Sequence, residues 1–283
     1  MRAGSMRRVR LGAAHARAET IFCPSMSPIS ECGTSEGTSL EPTKKQRIYL
    51  AALLSWLLLS VSVVLLLSWR SPVHRAVVGM GLGLVFLWVV LCGSLMWHFR
   101  YVIRKAVQGI RFPWPIKFVL FCTLLALVEE AITTSMTNLA PLLGVRMGEA
   151  YITASGNYLD VIALHGVSLF VSFFVGWSVV LWRYDFSPFA VFVLFGITGT
   201  LIEMLFGGWP HVLEWAMWSC VYGLMVWLPA GCVPKDRGAK RPRWWHYPLA
   251  VLAPCLFVFA FPLLGVISQF YPNHPRIHFP PIQ

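Results

Sequence analysis

Seven stretches of this chain are each about 20 residues long and nearly free of charge, the length at which a helix crosses the roughly 30 Å hydrocarbon layer of a bilayer. They cover residues 48–69, 73–97, 116–139, 159–182, 187–206, 211–230 and 247–270. In hydrocarbon every backbone amide needs a partner within the chain, so runs of this length predict helices. None has the sharply polar face of a surface helix. The expected fold class is an all-α integral membrane protein, a bundle of about seven transmembrane helices. Composition agrees: 57% hydrophobic residues, 12% charged residues and a mean hydropathy of +0.66 exclude a disordered chain, a nucleic-acid-binding domain and a small disulfide scaffold. The seven cysteines form no visible disulfide framework, since Cys92, Cys122, Cys220 and Cys255 fall inside apolar runs.

The net charge of +11 is a topology signal, because the basic residues sit in the tail and the inter-span loops. With the N-terminus inside, fourteen Lys and Arg between Lys44 and Arg243 face inward, against Arg70, Arg75, Arg146 and Arg276 outside. This predicts N-in and C-out, in a plasma (inner) membrane. Trp69, Trp97, Trp114, Trp182, Trp209, Trp244 and Trp245 fall at span ends, where an amphipathic ring prefers the headgroup layer. Residues 1–47 read as a disordered basic tail, 48–270 as the transmembrane domain and 271–283 as a short outer tail.

Beyond the N-terminal tail the chain has eight acidic residues, and five of them, Glu129, Glu130, Asp160, Glu203 and Glu214, lie inside predicted spans. An ionisable group in hydrocarbon costs about 3 kcal/mol on insertion scales unless it is paired or hydrated, so buried acids mark a site. The predicted orientation puts all five, with His165 and His211, in the outer half. His211 and Glu214 are three residues apart and share a helix face, and the Gly207–Pro210 turn returns them beside Glu203. Glu130, Thr134 and Asn138 step by four along one stripe, which favours Glu130 over Glu129 as the cavity-facing glutamate.

These residues predict an outward-opening acidic and histidine pocket that binds a cation, a metal or a small ligand. Glu130 and Glu129 are the catalytic candidates. His165, Glu203, His211 and Glu214 are the candidate ligands of a divalent metal, supported by Thr134, Asn138 and Asp160. Loop 141–157 is the longest outer connection and is expected to fold back as a lid. The partners expected are the bilayer and a small ligand or cation, with no nucleic acid.

The Glu129–Glu130 pair followed by membrane histidines is similar to part of the CAAX-type glutamate intramembrane protease pattern. Those families carry a basic residue three or four positions later, where this chain has Thr133 and Thr134. The resemblance covers two adjacent residues and implies an intramembrane hydrolase using the deep carboxylates. A cation carrier is an alternative, as is a structural or sensory subunit whose polar groups only fix helix packing.

Overall fold

The computed structural model describes residues 41–260, 262–275, 277–280 and 282. The tail as far as residue 40, and Arg276 of the outer basic set, lie outside the described residues. Among those described there is no strand, and helices carry the fold. Helix α1 (Lys44–Ser68) begins earlier than the apolar run alone predicts, because Thr43 caps it: its hydroxyl accepts from the Gln46 amide while the Gln46 side chain accepts from the Thr43 amide. Ser71 caps α2 (Pro72–Leu84), with Pro at the first helical position, where no amide hydrogen is needed.

The second predicted span proves much longer. α2 runs through a π-helical segment, Val85–Cys92, into α3 (Gly93–Gly109) as one 38-residue rod. At 1.5 Å per residue it is about 55 Å long, well beyond the hydrocarbon layer. Hydropathy misses the extension because Arg100, Arg104 and Lys105 end the apolar run while the helix continues. Fully buried Trp88, in the π segment, donates its indole N–H to Val221 O at 2.9 Å.

α4 (Trp114–Asn138) follows, then a 3₁₀ turn (Ala140–Leu143) and the loop to α5 (Tyr158–Leu164). The fourth predicted span is not one helix. It breaks at His165, and α6 (Gly166–Arg183) starts afresh. α7 (Pro188–Gly207), a 3₁₀ turn (Trp209–Glu214) and α8 (Trp215–Gly231) come next. The last predicted span is also divided, into α9 (His246–Ala260) and α10 (Leu263–Gln269) around Pro262.

Among the described residues, six helical stretches are long and apolar enough to cross a membrane: Lys44–Ser68, Pro72–Gly109, Gly166–Arg183, Pro188–Leu205, His211–Gly231 and His246–Gln269. α4, at 25 residues, is as long as α1 and carries the buried Glu129 and Glu130.

The core lies among α4, α6, α7, α8 and α9, around the fully buried Trp88, Trp177, Phe174 and Phe195. α7 and α8 make the most extensive helix contact, and small residues allow it. A Cβ on Gly196 would stand 2.8 Å from the Ser219 backbone. α1 is largely exposed and packs through Leu53 and Leu57 on the α7 and α8 side.

Candidate metal site and the cavity beside it

The break at His165 orients the site. Asn157 caps α5 by accepting from the Leu159 amide, which fixes Asp160 in the first turn. His165 sits between α5 and α6, facing back toward that carboxylate, with His165 Nε2 3.5 Å from Asp160 Oδ2. The C-terminal segment completes the group. After α10 the chain turns at Tyr271, whose carbonyl accepts from the His274 amide at 3.0 Å. It then runs back along the α4–α5 loop, where the His278 amide donates to Ala154 O at 2.8 Å and Phe279 stacks on Tyr151 at 4.9 Å. His274 Nε2 and His278 Nε2 thereby reach 3.0 Å from Asp160 Oδ1 and Oδ2 respectively.

Four side chains thus present one ligand atom each, all within 4.8 Å of one another: Asp160, His165, His274 and His278. His274 Nε2 is 3.2 Å from the Nε2 atoms of both His165 and His278. A neutral ring nitrogen is either a donor or an acceptor, so His274 Nε2 can satisfy one of its three near neighbours and not the others. Asp160 Oδ2 is buried and makes no hydrogen bond among the described residues, despite two imidazoles at contact distance. A cation at the centre removes the conflict by using every lone pair at once. With bonds of about 2.0–2.1 Å, a tetrahedral zinc ion sets its ligands about 3.3 Å apart, the scale of the separations here. Burial, the largest influence, holds the His165 imidazole below its ordinary pKa, outweighing the Asp160 carboxylate, and so favours the neutral form a metal needs.

His165 and His274 also face a cavity of about 1420 Å³. Glu129, Glu130, Thr133, Glu203, His211 and Glu214 line it as well. The sequence therefore identifies most of the polar wall. His165 and Asp160 belong to the metal-spaced group. Glu203, His211 and Glu214 belong instead to a hydrogen-bonded cluster: Glu214 Oε2 accepts from Trp218 Nε1 at 3.1 Å and lies 2.9 Å from His211 Nδ1, and Tyr222 donates its hydroxyl to Glu203. Glu129 and Glu130 both line the cavity. Thr134 and Asn138 are not on its wall. Thr134 is buried elsewhere on α4, and Asn138 Nδ2 donates to Gly156 O at 3.0 Å, tying down the loop.

Three glycines make room for this polar wall. A Cβ on Gly166 would collide with the Glu130 carboxylate, one on Gly207 with the His211 ring and one on Gly199 with the Tyr222 ring. The loop expected to act as a lid lines the cavity through Tyr151 to Ala154. Its 146–149 turn is held by Arg146, whose amide donates to Glu149 Oε2 at 2.8 Å and keeps that carboxyl below its ordinary pKa. The C-terminal segment lines the cavity too, contributing Tyr271 and His274 to the wall.

His274 and His278 escape the sequence reading because residues 271–283 lack the apolar length that marks a span. Their signal was a His-x-x-x-His pair beyond the last helix, within reach of a third histidine. No family model matches the chain, and no curated protein or solved structure proves similar to it.

Proposed function

We propose that this chain is a seven-span membrane protein, N-in and C-out with α4 as the additional span, in which a Zn²⁺-type ion clasps the C-terminal segment over an outward-facing ligand cavity. The observation that carries this reading is the convergence of Asp160, His165, His274 and His278 within 4.8 Å. Three imidazoles and a carboxylate suit zinc among the available divalent ions, although nickel and copper share the imidazole preference. Four protein ligands fill a tetrahedron and leave no position for water, the pattern of a structural rather than a hydrolytic zinc site. The ion's task is then to hold residues 271–280 against α5 and α6. The carboxylates inside the cavity are left to meet whatever ligand enters.

Titration of the metal-free protein with Co²⁺ tests the proposal. Four-coordinate Co²⁺ absorbs visible light far more strongly than the six-coordinate aqueous ion. The expected result is an intense visible spectrum saturating at one equivalent and bleached by Zn²⁺. A spectrum no stronger than that of aqueous Co²⁺ would overturn it.

A further inference from the structure

The cavity is two environments in one. Its polar wall carries Glu129, Glu130, Glu203 and Glu214, and among the described residues that line it there is no Lys or Arg. A large part of its remaining wall is aliphatic, contributed by α1 and α2 on one side, as at Val61, Val78 and Leu82, and by α9 and α10 on another, as at Val258 and Leu263. Ligand pockets for compact solutes run to about 300–1,000 Å³, and this one, at about 1420 Å³, is larger.

Glu129 supplies the independent sign of a ligand. Its side chain is 95% buried, it borders the cavity, and its carboxylate has no hydrogen-bond or ion-pair partner among the described residues. Glu130 fares little better. The Thr133 hydroxyl, 3.3 Å from Glu130 Oε2, has one hydrogen to divide between that oxygen and two backbone carbonyls at 3.1 Å. Carboxylate oxygens that border a cavity with few protein donors favour a ligand that brings N–H groups. Among the described residues the Asp160 and histidine set is the only group of three or more metal-spaced ligands, and none of the cavity glutamates belongs to it.

We propose that the cavity binds a long-chain amine, its ammonium head donating to Glu129 and Glu130 and its alkyl chain lying along the aliphatic wall between α1–α2 and α9–α10. An ammonium offers three donors and a positive charge to a wall of acceptors with no fixed Lys or Arg. The chain keeps its apolar surface out of water along the remaining wall. A fatty acid would set a carboxylate against carboxylates, and a short amine would leave the aliphatic wall empty. The inference rests on the cavity wall and on Glu129, and it holds with or without metal at the His site.

The test is photo-crosslinking of the full chain in phosphatidylcholine nanodiscs with hexadecylamine bearing a diazirine near the end of its chain. Labelling is expected on residues 78–82 and 263–265, competed by unlabelled hexadecylamine and not by hexadecanoic acid or butylamine. Glu129→Gln, which keeps shape and loses charge, should cut that labelling at least fivefold. Gly81→Leu provides a second variant independent of the polar groups. Gly81 lines the cavity and has open space where a Cβ would stand, so a leucine there extends into the alkyl path. It too should cut the labelling at least fivefold while the melting temperature is maintained. Equal competition by hexadecanoic acid would overturn the proposal. So would labelling confined to the lipid-facing Leu58 and Leu66, or labelling unchanged by Gly81→Leu.

Discussion

His274 Nε2 stands 3.2 Å from His165 Nε2 although 109 residues separate them in the chain. Neither ring has a proton arrangement that satisfies all its neighbours, so the pair is best read as two ligands waiting on one cation. Because His274 belongs to the C-terminal segment and His165 to the α5–α6 junction, metal occupancy and the position of that segment are one equilibrium.

That linkage makes the segment's protection metal-dependent. Zinc that binds only the closed form stabilises it by about 2.7 kcal/mol at a hundredfold excess over Kd. Hydrogen exchange of the His278 amide, which donates to Ala154 O, should therefore slow on adding Zn²⁺ and quicken with chelator. Exchange indifferent to both would separate the segment from the metal.

Loss of one ligand should be felt strongly. His278→Ala leaves three ligands, and a fall in zinc affinity of about 100-fold, or roughly 2.7 kcal/mol, is expected by competition with a chromophoric chelator. His211→Ala, in the neighbouring hydrogen-bonded cluster, should change zinc affinity less than threefold. Similar losses in the two variants would mean that the ion sits elsewhere in the cavity.

The pH dependence has a definite sign. His165 has a folded pKa depressed below the ordinary 6.5, so the folded state binds fewer protons than the unfolded chain between those two values. Stability of the metal-free protein should then rise with pH through that window, and be lost as pH falls below 6.5. Zinc affinity should fall in the same direction as protons compete for the imidazoles. A melting temperature of metal-free protein that increases on acidification through this window would contradict the burial of a neutral His165.

Two cavity-lining glycines, one packed against the polar wall and one in open space, predict a contrasting pair of variants. Gly166→Ala drives a methyl group into the Glu130 carboxylate and should cost about 1–3 kcal/mol. Gly81→Ala meets nothing and should gain about 0.5–1 kcal/mol from helix propensity. Thermal unfolding of the two beside wild type checks both signs.

Much of this fold is legible in the sequence, and what is not has physical causes. Run length and charge locate the apolar helices, but helix continuation past residue 97 depends on backbone bonding that hydropathy ignores. The acid count points to Glu129, Glu130, Glu203 and Glu214 and to the cavity they border. The metal group was half visible. Asp160 and His165 are five residues apart on a segment that looks like one helix, whereas the break between α5 and α6 is what lets both face one point. His274 and His278 are brought there by a fold-back of the C-terminal segment, held by the Ala154 hydrogen bond and the Tyr151–Phe279 stack, and no periodicity in residues 271–283 encodes it.

The central claim is the metal site, and metal content tests it most directly. Full-length protein, purified in detergent and equilibrated with zinc before exhaustive dialysis, should carry one zinc per chain by mass spectrometry of the elements. The His274→Ala, His278→Ala double variant should carry fewer than about 0.1. Wild type free of zinc after that treatment, or a double variant that still holds one ion per chain, would contradict it.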